Sequence, residues 1–263
     1  MTRVLSGAVL IAIAVAVVWF APNPIFLAVA LLLAAGAVVE LVGLARASGM
    51  TISIGPALIV SCFVVVAVGV PELYRRGFLE VCLMTALLSA AALTLSSWRG
   101  GPGAFADVSA SLFPALYIGL PIGAMIGIRT GSGPRALFLL MVTIIISDTA
   151  QYYSGRQFGR RPLAPLASPK KTIEGALGGF VFGTAGFAIV ANWWLPIAMP
   201  FRLLLGLTIV ALGITGDLFE SMLKRSAGVK DSSGLIPGHG GVLDRVDALL
   251  FAAPVYYIVL KYV

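Results

Sequence analysis

The chain has 263 residues, of which 59% are hydrophobic and 11% charged, and its formal net charge is +7. A soluble globular domain carries about 25% charged residues, so this composition excludes water as the solvent for most of the surface. With a mean hydropathy of +1.02, the basic excess points to membrane orientation and anionic substrates, and away from nucleic acid.

A helix that crosses the hydrocarbon core needs roughly 20 mainly apolar residues. Nine segments meet that need, at about 4–20, 24–44, 51–70, 78–97, 106–128, 134–153, 173–192, 201–219 and 246–262. They predict an all-α, polytopic integral-membrane bundle of about nine transmembrane helices. The run after Arg3 stays free of charge as far as Glu40, too long for the apolar core of a signal peptide, so the first helix is expected to be retained. Pro22 and Pro24 separate the first two spans, and Pro71, Glu72, Arg75 and Arg76 close the third. Gly100, Gly101, Pro102 and Gly103 make a turn before the fifth, and Pro200 precedes the eighth. Pro114, Pro121 and Pro254 fall inside spans, where they should kink them. Cys62 and Cys82 lie within apolar segments and are read as packing residues.

Two longer polar loops, at about 154–172 and 220–245, are rich in Gly, Lys and Arg. With nine spans they share a side of the membrane, which also holds twelve of the eighteen Lys and Arg residues. The excess of Lys and Arg on cytoplasmic loops then puts both loops and the N-terminus in the cytoplasm, in a multi-pass protein of the inner membrane. Residues 1–130 are expected to form a scaffold offering oligomer contacts, and residues 131–263 the catalytic region.

Acidic residues at membrane depth carry the functional signal. Asp148 ends the sixth span, Asp217 ends the eighth, and Asp244 and Asp247 lead into the ninth. An Asp at a helix centre costs about 2.5–3.5 kcal/mol on insertion scales, less near the interface, so four of them call for a compensating cation. A helix starting near Asp244 puts Asp244 and Asp247 on one face. Such a pair suits Mg²⁺, which takes one or two carboxylates plus substrate phosphates. It equally suits interfacial acids paired to Arg245 or Lys224.

The first loop ends Ser168-Pro169-Lys170-Lys171-Thr172-Ile173-Glu174-Gly175, two cations and two hydroxyls where a helix should start and attract phosphate. Glu174 is an alternative cap for that helix, and a plain membrane anchor is the alternative role for Lys170 and Lys171. The second loop mixes Lys224, Arg225, Lys230 and Arg245 with Asp231, Gly240 and Gly241. Glycines let backbone N–H groups approach an anion, cations neutralise a triphosphate and acids hold a metal, which together equip phosphoryl or nucleotidyl transfer. His239, the only histidine, is read as binding a substrate phosphate or ordering the loop rather than as a general base. There is no P-loop and no His-Glu-x-x-His motif.

The run from Ser221 to Asp247 resembles the signature of bacterial phosphatidate cytidylyltransferases, or CDP-diacylglycerol synthases. The matching elements are Ser221, Lys224-Arg225, Lys230-Asp231, Pro237-Gly238-His239-Gly240-Gly241 and Asp244-Arg245-x-Asp247. Ser168–Gly175 is similar to a second motif of that family, with Ile173 where Trp is common. Ser147-Asp148-Thr149 is similar to a third, with Ser147 where Asn is common. The likeness covers the last 120 residues or so; the first half matches only in hydrophobicity and span count.

The resemblance implies that CTP and phosphatidate yield CDP-diacylglycerol and pyrophosphate with Mg²⁺, in a membrane-embedded homodimer that also takes a second cation such as K⁺. On that expectation Asp217, Asp244 and Asp247 hold metal with Asp148 near or in the shell. Ser168, Lys170, Lys171, Thr172, Lys224, Arg225, Lys230, Asp231, His239, Gly240, Gly241 and Arg245 serve the phosphates. Two rivals stand beside it. One is a CTP-dependent polyprenol or dolichol kinase, which would release CDP. The other is a secondary transporter, for which intramembrane acids line an ion path.

Overall fold

The computed structural model describes residues 2–100, 102–235 and 240–262. Helices account for most of them, in the order α1 (Thr2–Phe20), α2 (Asn23–Ala47), α3 (Ile54–Gly69), α4 (Pro71–Arg75), α5 (Phe78–Ser97), α6 (Ala104–Pro114), α7 (Leu120–Gly131), α8 (Pro134–Phe158), α9 (Ile173–Trp194), α10 (Met199–Ser226) and α11 (Leu243–Leu260). The protein is an all-α polytopic membrane bundle. Among the described residues, a helix occupies each of the nine expected segments, and six helical stretches are long and apolar enough to cross a membrane. α3 is shorter, and α11 begins with Asp244, Arg245 and Asp247, which lower its apolar content.

The kink expected at Pro114 takes a specific form. α6 and α7 are joined by a π-helical turn, Ala115–Gly119, into one continuous stretch. Proline lacks an N–H and its ring crowds the preceding turn. A widened turn absorbs that defect without ending the helix.

Both polar segments are more ordered than the expected loops. α8 extends to Phe158, and beyond it β1 (Pro162–Ala164) pairs antiparallel with β2 (Ser168–Thr172). The Ser168–Thr172 motif is therefore a strand that delivers the chain into α9, and only its last residue is at the helix start. Thr172 is the N-cap, its hydroxyl accepting from the Gly175 N–H at 3.1 Å. Glu174, considered as the cap, instead accepts from the Arg160 and Arg161 backbone N–H groups at 3.0 and 3.2 Å. It pins the turn that precedes the hairpin. Likewise α10 runs on to Ser226, so the second irregular stretch begins later than 220.

Helices in lipid gain little from apolar burial against one another, so close approach of small residues takes over. Gly175, Gly179 and Gly183 recur every fourth residue along α9 and face α8. A Cβ on Gly175 would stand 2.8 Å from the Gln151 carbonyl oxygen, and one on Gly183 3.0 Å from the Ser147 Cβ. α10 and α11 meet the same way, because a Cβ on Gly216 would lie 2.6 Å from the Asp247 carbonyl oxygen. These two contacts set the site, since they draw Asp148, Asp217 and Asp247 toward a common axis. Elsewhere Arg129 is buried but satisfied. It donates to the Val18 carbonyl at 2.9 Å and to Asn23 Oδ1 at 2.8 Å, and stacks 4.5 Å over Phe26. It thus ties the α1–α2 turn to α7.

Candidate active site

The ends of α8 and α10, the start of α9 and strand β2 enclose a cavity of about 420 Å³. Asp148, Gln151, Arg156, Lys170, Lys171 and Asp217 are among its lining residues. Lys171 donates to Asp217 Oδ2 in an ion pair. Asp148 accepts from Gln151 Nε2 at 3.0 Å. Asp247 stands across the α10–α11 contact, its Oδ1 accepting from the Ala248 N–H at 2.7 Å. Asp148, Asp217 and Asp247 each lie within electrostatic range of the others. Asp148 and Asp247 have no ion-pair partner among the described residues.

A second cluster adjoins the first and is centred on Lys224. Its ammonium lies 2.5 Å from Asp244 Oδ1 and also pairs with Glu220, one helical turn earlier. Asp244 is further held by the Ser232 hydroxyl at 2.7 Å, the Ser232 N–H at 3.0 Å and the Gly241 N–H at 2.8 Å. α11 does begin at Leu243, as the i, i+3 reading of Asp244 and Asp247 required. The Lys224 pairing is also the one that the alternative reading of those acids named. As the side chains lie, no three acidic, histidine or cysteine groups among the described residues stand close enough to form a metal shell.

The remaining expected site residues are placed as follows. Lys170 and Thr172 border the cavity, and Ser168 begins β2. Arg225 donates to the Ala167 carbonyl at 3.3 Å and the Val229 carbonyl at 3.2 Å. Its guanidinium therefore staples the hairpin to the segment after α10, so the two polar segments meet at one end of the bundle. Lys230 and Asp231 are exposed. Gly240 has a φ of +77°, the left-handed region that favours glycine, and sits against Asp244. Arg245 lies in the first turn of α11. Pro237, Gly238 and His239 lie outside the described residues, so the expected role of His239 is not addressed by the structure.

Sequence reasoning passed over two members of the site. Glu220 is fully buried beside Lys224. Its spacing was the available signal, because it lies four residues before Lys224 and so on the same helix face. Glu40 comes from α2, far away in sequence, and is only 6% exposed. It accepts from the Ser233 hydroxyl at 2.7 Å, the Ser232 hydroxyl at 2.9 Å, and the Val242 and Leu243 N–H groups at 2.9 and 2.8 Å. A lone acid ending a long apolar run is itself a mark of function.

A helical membrane bundle with carboxylates and lysines gathered around a cavity at one end defines a multi-pass membrane protein with a charged site. The chain belongs to the cytidylyltransferase family, which it matches over residues 1–263. It is 44% identical over 124 residues to the phosphatidate cytidylyltransferase of Aquifex aeolicus, covering 47% of this chain and 46% of that one. It is 36% identical over 189 residues to that of Mycobacterium bovis, covering 70% and 61%. Against that of Thermotoga maritima the identity is 39% over 163 residues, covering 60% of each. The matched segments thus span 46%, 61% and 60% of the three relatives' lengths.

Proposed function

We propose that the protein is a phosphatidate cytidylyltransferase, which transfers CMP from CTP to phosphatidate and releases pyrophosphate. The observation that carries this reading is the meeting of Asp148 and Asp217 with Lys170 and Lys171 around one cavity at a bundle end, with Asp247 within electrostatic range of both acids. The three named relatives carry that enzyme's name. A transporter leaves the two lysines of the hairpin beside the acids without a task, and a CTP-dependent kinase is told apart by its products.

The chemistry needs little covalent help. Phosphatidate's monoester, like a phosphorylated side chain, carries about −1.5 to −2 charge at pH 7 and attacks without a general base. The new bond joins its oxygen to the α-phosphorus of CTP, and the bond from that phosphorus to pyrophosphate breaks. The obstacle is repulsion between two anions, so catalysis reduces to positioning and charge neutralisation. On this reading Lys170 and Lys171 would meet the triphosphate, and Lys224 and Arg245 the second anion. The donor set has the oxygen chemistry that a hard cation takes: three carboxylates lie within electrostatic range of one another, two of them without an ion pair among the described residues, and side-chain movement would have to bring them to ligating distance, since as they lie no three stand that close. Asp217 and Asp247, with Asp148 beside them, would hold Mg²⁺, and Asp244 would join if Lys224 turned to phosphate. When bound, Mg²⁺ would neutralise phosphate charge between the two substrates. The site would face the cytoplasm, with the acyl chains left among the helices.

The test is purified protein with labelled CTP and phosphatidate, with and without Mg²⁺. CDP-diacylglycerol and pyrophosphate should form together, and Asp217→Asn should lower turnover about 10³-fold, the scale of losing one preorganised electrostatic group. Release of CDP with a phosphorylated lipid would instead identify a kinase. Full activity in Asp217→Asn would remove the acids from the mechanism.

A further inference from the structure

We propose that Glu40 is a positioning residue of this active site: its carboxylate, delivered from α2, locks the 232–233 turn onto the first turn of α11 and so fixes where Asp244 and Asp247 stand. The inference rests on the cytidylyltransferase reading and adds to it a residue from the half of the chain that bears none of the motifs.

The geometry is specific. The first N–H groups of any helix lack partners within it, and α11 has no side-chain cap of its own. Glu40 supplies that cap from another helix, accepting from Val242 at 2.9 Å and Leu243 at 2.8 Å. The same two oxygens take the hydroxyls of Ser233 and Ser232. Ser232 then reaches on to Asp244, 2.7 Å from Oδ2. The Ser232 hydroxyl, with one proton to give, thus stands between the two carboxylates, while its backbone N–H donates to Asp244 at 3.0 Å, so one short side chain links Glu40 to Asp244. Gly241 makes room for it, since a Cβ there would run into the Ser232 hydroxyl and the Glu40 carboxylate. A helix whose start is fixed carries Asp247 one turn further along the same rigid element. Helix capping alone would not explain why the carboxylate also holds both serines of the turn that grips Asp244.

Glu40→Gln keeps the shape but replaces one acceptor oxygen with an NH₂ group, which faces N–H or hydroxyl groups already donating. Two readouts are taken on full-length protein in detergent. The first is amide hydrogen exchange over residues 240–248 without metal, expected to speed up about ten-fold while α8 and α9 stay unchanged. The second is steady-state kinetics per folded molecule. Turnover is expected to fall about ten-fold or more and the Mg²⁺ activation midpoint to rise several-fold, as a displaced carboxylate pair requires. Glu40→Asp, which keeps the charge, should recover part of both. Ser232→Ala should shift the midpoint in the same direction by less. The double variant should fall short of the product of the singles, because both act through one path.

Faster exchange with wild-type turnover and wild-type Mg²⁺ midpoint would make Glu40 a mere cap and overturn the proposal. So would losses that track only the amount of folded protein. A wild-type protein that makes no CDP-diacylglycerol would defeat the functional reading itself, and this inference with it.

Discussion

Replacing Lys224 with methionine removes one cation from between two buried carboxylates. The side chains of Glu220 and Asp244 are 0% and 7% exposed, and that of Lys224 is 12% exposed. Breaking a buried pair by deleting one partner costs about 3–5 kcal/mol, and a lysine serving two acids belongs at the upper end. The two acids left behind are not equivalent. Asp244 keeps the Ser232 N–H, the Ser232 hydroxyl and the Gly241 N–H. Neither oxygen of Glu220 has a hydrogen-bond donor among the described residues beyond the ion pair itself. Most of the destabilisation should therefore come from Glu220. Adding Glu220→Gln to Lys224→Met should restore about 2 kcal/mol or more, whereas adding Asp244→Asn should restore less than about 1 kcal/mol, because three donors then face a weaker acceptor. Unfolding in mixed micelles, followed by circular dichroism across the four proteins, measures the cycle. Equal rescue, or larger rescue by Asp244→Asn, would refute the assignment of Glu220 as the acid that depends on Lys224.

Three further outcomes follow from the geometry. Gly216→Ala puts a methyl 2.6 Å from the Asp247 carbonyl oxygen, so α10 and α11 must part. Turnover should fall about 10²-fold, the loss expected for a displacement near 1 Å, with CTP binding by filter assay little changed. Thr172→Ala removes the cap on Gly175 and should cost about 1 kcal/mol of stability, read as a lowered thermal midpoint. Chelation of divalent metal should abolish product formation, and added Mg²⁺ should restore it within the assay.

The bundle was legible because each span announces itself twice, through apolar length and through the Pro, Gly or charged residues at its ends. The C-terminal acids were legible as well, since a carboxylate in an apolar run has few structural reasons to be there. What escaped was the partner of each charge. Glu174 and Thr172 both stood near the start of α9, and composition could not tell which would cap it. The hydroxyl at the N-cap won because the chain enters as a strand, which aims the Thr172 side chain at Gly175. Glu40 escaped for a different reason. It lies 202 residues from Val242, and a contact of that separation leaves no periodic trace in either segment. Arg225 was read as a phosphate ligand because its charge was visible, while the carbonyls of Ala167 and Val229 that engage it were not.

Charge balance gives the strongest physical argument for a cation in this region. Six carboxylates, those of Glu40, Asp148, Asp217, Glu220, Asp244 and Asp247, meet near the ends of α2, α8, α10 and α11. Two ammonium groups, Lys171 and Lys224, are paired with three of them. Glu40 is offset by the Ser233 hydroxyl, by the Val242 and Leu243 N–H groups at the positive end of the α11 dipole, and by a Ser232 hydroxyl that it shares with Asp244. That leaves Asp148 and Asp247, which have one hydrogen bond each from Gln151 and Ala248 and longer-range attraction from Lys171 and Lys224, but no ion pair among the described residues. A single hydrogen bond offsets only part of the cost of a carboxylate removed from water, and both acids also repel Asp217. On the proposed reading, a divalent ion held by these acids would offset that repulsion and leave Lys171 free for phosphate. On the proposed reading Lys171 would serve Asp217 and the nucleotide in turn, so metal and substrate should bind with positive cooperativity.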